Sequence, residues 1–246
     1  MSEAYEALAG WYDRLTLDVP YGEFLEFYEK IFMAEVGEHK TVLDLCCGTG
    51  TLTLLMAEKG YEMIAVDSSP DMLMQASSKD CAAAVKPLFL CQEAAQLDLY
   101  GTVDAAICSL DGMDYIPPEE LPEVFRRLRL FIRPGGTLIF DVRTPEWLRA
   151  RDGEIFVDET DELLCLWRAD FDFEENALCY GMDIFEKRGR LWARQSEEHV
   201  EYAHEPEDLK ALLEDLGFEN TVIHTECPQG DDGRCFISAA RGKSNG

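Results

Sequence analysis

The residues best suited to chemistry gather in one stretch, residues 41 to 50, TVLDLCCGTG, and in an aspartate some way beyond it. Val42, Leu43 and Leu45 form a short apolar run of strand type. It stops at Gly48-Thr49-Gly50, and the helical run TLTLLMAEKG follows directly. Strand, glycine turn and helix start, in that order, make a corner where backbone can approach a ligand and unpaired N–H groups face it. Asp67 closes the next apolar run, MIAVD, at the spacing where a carboxylate can accept both hydroxyls of a ribose. The pattern therefore points to a bound nucleoside. It does not fit a dinucleotide: a G-x-G-x-x-G fingerprint aligned on Gly48 needs glycine at 46, 48 and 51, where this chain has Cys46, Gly48 and Thr51. A nicotinamide oxidoreductase is disfavoured on that ground.

The elements that must position these residues alternate. Strands are expected at 41–46, 62–67, 87–91, 103–109 and 136–142 with helices between them, which implies a parallel sheet with right-handed crossovers. Ser69-Pro70 opens a helix after Asp67. Pro118 and two glutamates open another, and Pro134-Gly135 closes it. Arg126, Arg127, Arg129 and Arg133 read as complement to that helix's dipole and as surface. The fourth strand ends in a polar cluster at the sheet's carboxyl edge, where ligands of open α/β sheets sit, so Asp111, Asp114 and Tyr115 are candidates to face a substrate. From 153 to 204 the period changes to two, and antiparallel strands with turns at Asn176 and Gly189 are expected. A helix over 206–216 and two strands, FENTVIHTE and RCFISAAR, joined by the hairpin turn Gly-Asp-Asp-Gly, complete the chain. Residues 1–39 are helical in pattern, rich in aromatics and broken at Val19-Pro20-Tyr21-Gly22.

At 246 residues the chain fits one α/β domain, 1–246, with an insertion. Its formal net charge of −27 repels phosphate backbones and disfavours a nucleic acid substrate. Nine cysteines with no C-x-x-C pair fit neither a disulfide framework nor a zinc knuckle, and no metal site is expected. An acidic start without a basic or apolar leader, and no apolar run near the length of a membrane span, point to a reduced, cytoplasmic protein that is a monomer or homodimer.

The D-x-x-x-G-x-G pattern from Asp44 to Gly50 resembles motif I of the class I S-adenosylmethionine (SAM)-dependent methyltransferases, with Cys46 in place of that motif's first glycine. The string VDSSPDML is typical of the same family. The likeness is greatest to a bacterial YqeM-like group of methyltransferases without an assigned substrate. In that group an N-terminal Y-x-x-x-A-x-x-Y-D segment is matched here by Tyr5, Ala9, Tyr12 and Asp13. A D-S-L-N-Y string is matched by Asp111 to Tyr115 with Asp114 for the asparagine, and a D-V-x-x-P string by Asp141 to Pro145. Tyr202 and His204 stand where relatives tend to carry arginine and tyrosine. The resemblance implies a Rossmann-like seven-stranded sheet of order 3-2-1-4-5-7-6 with an antiparallel β insertion at 153–204 over the acceptor site. It further implies that residues 1–39 form a lid, with Tyr12 and Tyr21 over the cofactor's methionine end. The cofactor is then SAM and its product S-adenosylhomocysteine. The implied cofactor residues are Asp44, Cys46, Gly48, Gly50, Asp67 and Ser68, with Met72 on the adenine, Glu93 and Ala94 at its amino edge, and Leu110.

Methyl transfer needs two reactants held in line and no fixed triad. A small-molecule acceptor, an amine or a hydroxyl, suits an acidic and aromatic pocket formed by Trp11, Tyr115, Trp167 and Tyr180. Should the acceptor carry a proton, Asp111 and His199 are candidate bases, with Tyr115 beside them; His199 reads more readily as an exposed residue of an inserted strand. Nucleic-acid amino-methylation is disfavoured because the site after strand four reads Ser109-Leu-Asp-Gly112 and not [DN]-P-P-[YF]. A transfer RNA or protein acceptor, or a non-catalytic SAM-binding regulator, are the alternatives.

Overall fold

A computed structural model describes residues 8–34, 40–224, 228 and 233–242. Tyr5 and most of the Gly-Asp-Asp-Gly turn lie outside the described residues. The main sheet contains β1 (Thr41–Leu45), β2 (Glu62–Asp67), β3 (Leu88–Cys91), β4 (Val103–Cys108), β5 (Ile132–Arg143), β10 (Phe218–His224) and β11 (Arg234–Arg241). Its order is β10-β11-β5-β4-β1-β2-β3, the expected 3-2-1-4-5-7-6 in core numbering. The first five strands are parallel, and β11 runs antiparallel to both β5 and β10.

The central strands are mostly apolar because both faces are covered, and successive residues go to opposite layers. Leu43, Leu45, Leu138 and Phe140 pack under Phe125 and Leu128 of α5 (Leu121–Phe131), with Leu213 of α7 (Pro206–Asp215). Val42, Ala105, Ile107 and Ile139 pack under Phe24 and Tyr28 of α2 (Tyr21–Ala34) and Met56 of α3 (Thr51–Glu58). Helix α2 presents Phe24, Leu25, Tyr28 and Phe32, the spacing of one helical face.

Two boundaries differ from expectation. Helix α5 begins at Leu121, three residues past Pro118, with Pro122 in its first turn. Strand β5 begins at Ile132, so Pro134-Gly135 lies inside it, where its register with β4 shifts between Val103 and Ala105. A proline is tolerated at such an irregularity.

After α6 (Pro145–Arg149) come β6 (Ile155–Glu159), β7 (Leu163–Asp172), β8 (Ala177–Arg188) and β9 (Leu191–Tyr202), a separate antiparallel sheet in that order. Asn176 and Gly189 hold its turns at φ 51° and 68°. Its inner face (Leu163, Cys165, Met182, Ile184) packs on Leu8, Trp11, Tyr12 and Leu15 of the N-terminal segment. Among the described residues, no helix is long and apolar enough to cross a membrane.

Candidate active site

Three residues of the β1 corner are left-handed: Cys46 (φ 57°), Gly48 (φ 54°) and Gly50 (φ 69°). Gly50 caps α3, and a Cβ there would stand 3.0 Å from Ala76 Cβ and 3.2 Å from Phe89 Cε1. It therefore packs beneath the corner and does not line the cleft, which corrects its expected place among ligand-facing residues. Gly48 N donates to Asp67 Oδ2 at 2.8 Å, and Ser69 N donates to Oδ1 at 2.8 Å. Burial raises the Asp67 carboxyl, and those backbone donors pull it back. Ser68 adds a third backbone donor, and the carboxylate lines the larger cavity described below. Asp44 is buried and accepts the hydroxyl of Thr53, which ties β1 to the first turn of α3. Burial pushes its carboxyl up to about 7.

The loop after β4 is held by an ion network that sequence reading missed. Leu110 (φ 57°) and Asp111 (φ 67°) donate their N–H groups to the Asp141 carboxylate at 2.9 and 3.2 Å. Buried Arg234 of β11 bonds both Asp111 and Asp141, and Arg143 Nε stands 3.2 Å from Asp111. Burial alone would raise the Asp111 carboxyl, but Arg234 and Arg143 outweigh it and hold the group below the usual carboxylate range. Asp111 is thus the counter-ion of two arginines, a setting that does not favour the role of base expected from the sequence. Gly112 lets this loop lie on β1: a Cβ there would meet Cys108 Sγ at 2.7 Å and Cys46 Cβ at 2.8 Å.

Asp114, expected to face a substrate, is fully buried. Its carboxylate accepts Arg143 N–H at 2.8 Å and its carbonyl accepts Tyr202 N–H at 2.7 Å, so it bolts β5 and β9 to the loop. Burial, with Asp111 nearby, holds its carboxyl well above the usual range. His199 is 2% exposed, not a surface residue. Its Nε2 lies 3.2 Å from Glu197 Oε2, and Glu197 Oε1 accepts Leu8 N–H at 3.1 Å. Tyr115 meets the His199 ring edge-on at 6.1 Å and donates to Glu201 Oε1 at 3.3 Å. Burial and the Asp111 charge push the Glu201 carboxyl up to about 8.

These groups surround two cavities at the carboxyl edge of the main sheet. The larger, about 1280 Å³, runs along the ends of β1, β2 and β3 and is lined by Tyr12, Tyr21, Asp44, Cys46, Gly48, Asp67, Ser68, Met72, Glu93, Ala94 and Leu110. The smaller, about 410 Å³, lies between the β4 loop and the inserted sheet, among Asp111, Arg143, Trp147, Arg151, Trp167, Tyr180 and Glu201. Tyr12, Leu110, Tyr115 and His199 line both. Of the expected aromatics, Trp11 lines neither; it packs on the inserted sheet with Arg14 over its ring at 4.8 Å. Arg143, Trp147, Arg151 and Glu201 were not anticipated. For Glu201 a signal existed, since Glu197, His199 and Glu201 repeat every second residue on one strand face.

The N-terminal segment is fastened across the corner. Asp13 accepts the Thr49 hydroxyl at 2.6 Å and the Thr51 hydroxyl at 3.3 Å, and it pairs with Lys79 at 2.6 Å.

Residues 42–136 match the family model described as a methyltransferase domain. The chain is 27% identical to the Bacillus subtilis protein YqeM over 247 residues, which cover 98% of each chain. An SAM-dependent methyltransferase from Clostridium acetobutylicum is similar in structure, with a TM-score of 0.83 and 26% identity over 98% of this chain and 100% of that one. The sugar N-methyltransferase KedS8 from Streptoalloteichus has a TM-score of 0.81 at 20% identity over 99% of this chain and 94% of its own, a likeness of fold. Domain match, sheet order and the glycine corner with its acidic partner agree: residues 42–136 form a methyltransferase domain on a sheet ordered as in the SAM-dependent methyltransferase that the whole chain resembles.

Proposed function

We propose that the protein transfers the SAM methyl group to a nitrogen or oxygen of a small molecule seated in the 410 Å³ cavity. The observation that carries this reading is the junction: two cavities of different size and lining meet at Tyr12, Leu110, Tyr115 and His199. A cofactor in the larger one and an acceptor in the smaller one face each other there. The residues of the larger cavity fit the cofactor. Asp67 presents its carboxylate to ribose hydroxyls, Met72 offers an apolar surface for the adenine beside Glu93 and Ala94, and Tyr12 and Tyr21 close the methionine end. Bound SAM supplies an electrophilic methyl group on its sulfonium.

The chain supplies alignment and a proton acceptor. Holding two reactants in line can contribute roughly 7–11 kcal/mol of the barrier. Glu201 takes the acceptor's proton: its carboxyl lines the smaller cavity and titrates near the operating pH, the best range for a base. The inserted sheet β6–β9 and residues 8–18 are the walls that exclude water and choose the acceptor. The sugar N-methyltransferase KedS8 and the amino pentose methyltransferase CalS10 share the fold, which is in keeping with a small polar acceptor.

The test is incubation with methyl-labelled SAM and a cell extract split into metabolites, RNA and protein. Label should appear in the metabolite fraction. Label confined to RNA or protein would replace this reading with a macromolecular acceptor, and binding of SAM without any labelled product would make the protein a regulator.

A further inference from the structure

Glu197 has no part in the reaction as described, and packing does not account for it. It stands opposite Met182 in the inserted sheet, on the face otherwise built from Leu163, Cys165, Met182 and Ile184. A leucine would serve that face, whereas a buried carboxylate is costly unless hydrogen-bonded. The Glu197 side chain is 3% exposed and that of His199 1%. What the carboxylate adds is two contacts that lead to opposite sides of the junction between the cavities. Its Oε1 accepts Leu8 N–H at 3.1 Å, and the Leu8 carbonyl accepts the N–H groups of Trp11 and Tyr12 at 2.8 and 2.9 Å. Fixing Leu8 thus fixes Tyr12, which lines both cavities. Its Oε2 lies 3.2 Å from Nε2 of His199, which also lines both. The His199 ring in turn meets Tyr115 edge-on, and Tyr115 donates to Glu201. Residues 197, 199 and 201 alternate along β9, so one side of that strand carries the contacts from the N-terminal segment to the proposed base.

We infer that Glu197 is a positioning residue: it seats His199 and Tyr12 on the two sides of the junction and makes the acceptor site depend on the docked N-terminal segment. A carboxylate only accepts, so the pairing assigns the imidazole proton of His199 to Nε2. The kinetic consequence rests on the proposed methyl transfer; the contacts do not. Glutamine at this position is nearly isosteric but offers one accepting oxygen and one donating NH2 group. It can keep Leu8 N–H by turning the NH2 group to His199, which drives the ring proton to Nδ1. Otherwise it keeps His199 and leaves Leu8 N–H unmet.

The test is Glu197→Gln in the full chain, with Glu174→Gln, at the exposed β7–β8 turn, as control. Nitrogen-15 spectra, with the His199 signals assigned by their loss in His199→Asn, should show Nε2 protonated in the parent. In Glu197→Gln either the Nδ1 tautomer should appear or amide exchange over residues 8–15 should quicken. A melting shift with SAM reports that the variant is folded. With methyl-labelled SAM and a metabolite extract, both saturating, labelling should fall tenfold or more, up to about the hundredfold of a misplacement of roughly 1 Å. Because Glu197 acts through His199, combining Glu197→Gln with His199→Asn should cost less than the product of the two single losses. A parent spectrum with Nε2 unprotonated, fully multiplying losses, or Glu197→Gln behaving as Glu174→Gln would overturn the assignment while leaving methyl transfer intact. No labelled metabolite from the parent would remove the methyl-transfer reading, and the role of Glu197 would then stand or fall on the tautomer and exchange results.

Discussion

Of the left-handed residues Cys46, Gly48 and Gly50, only Gly50 also has neighbours close enough to exclude a side chain. Gly48 has open space around its Cβ direction, so there the demand is torsional and the freed space belongs to the cleft. Cys46 accepts a torsion that favours glycine, which places the strain of the motif at its small, non-glycine member. Asp67 joins this corner to the next strand through Gly48 N and Ser69 N. On the proposed reading its carboxylate takes the ribose hydroxyls. Hydrogen bonds to charged groups are worth about 1.5–3 kcal/mol, so Asp67→Ala should weaken SAM binding tenfold or more by calorimetry. Unchanged affinity would take Asp67 out of the site. Glu201 gives a signed pH prediction. On the proposed reading its carboxylate is the active form, so kcat/KM should rise with pH through about 8. In Glu201→Gln that limb should disappear, whereas Asp111, held below the usual carboxylate range by its arginines, contributes no step there.

At the scale of elements, the loop after β4 owes its place to strands far away in sequence. Asp141 on β5 holds the backbone of Leu110 and Asp111, and Arg234 on β11 neutralises both aspartates. Removing one member of a buried ion network leaves uncompensated charge, at about 3–5 kcal/mol. Arg234→Met should therefore lower the melting temperature by roughly 10 °C, and a loss below about 2 °C would show the network to be dispensable. The inserted sheet meets this loop through Tyr202 N–H on Asp114 and Tyr115 on Glu201. If β6–β9 govern the acceptor, Trp167→Ala and Tyr180→Ala should raise the acceptor KM and leave SAM affinity unchanged. The reverse split would move the insertion's role to the cofactor.

For the whole molecule, a ligand that binds only the folded state reports on the site directly. SAM or S-adenosylhomocysteine at a hundred times its Kd should add about 2.7 kcal/mol of stability, a melting shift of roughly 5–10 °C for a chain of this length. NADH should give no shift; the opposite outcome would contradict the cofactor. The three parts of the fold depend on one another here. Leu8 N–H on Glu197 ties the N-terminal segment to the inserted sheet, and Asp13 on Thr49 and Thr51 ties the same segment to the glycine corner. One short segment thus spans both cavities, with Tyr12 lining each.

Local pattern was enough for the parallel core. Continuous apolar strands, a glycine stop after β1 and the acid at the end of β2 are local features, and each element forms where its own residues direct it. The change to period two after β5 likewise announced the second sheet. The smaller cavity was not legible in this way, because its chemistry is made by convergence. Tyr115, Trp167 and Tyr180 are expected there from the sequence, but Arg143, Trp147, Arg151 and Glu201 join them from β5, α6, the turn after it and β9, and nothing in their spacing places them on one cavity. Burial then decides what each ionisable group does. Asp111 and Asp114 are near-neighbours of the same type. The first lies between two arginines, which hold its carboxyl below the usual range; the second is sealed behind β5 and β9, and burial holds its carboxyl well above that range. Sequence assigns both a carboxyl group, and only the packing around each carboxyl determines its charge.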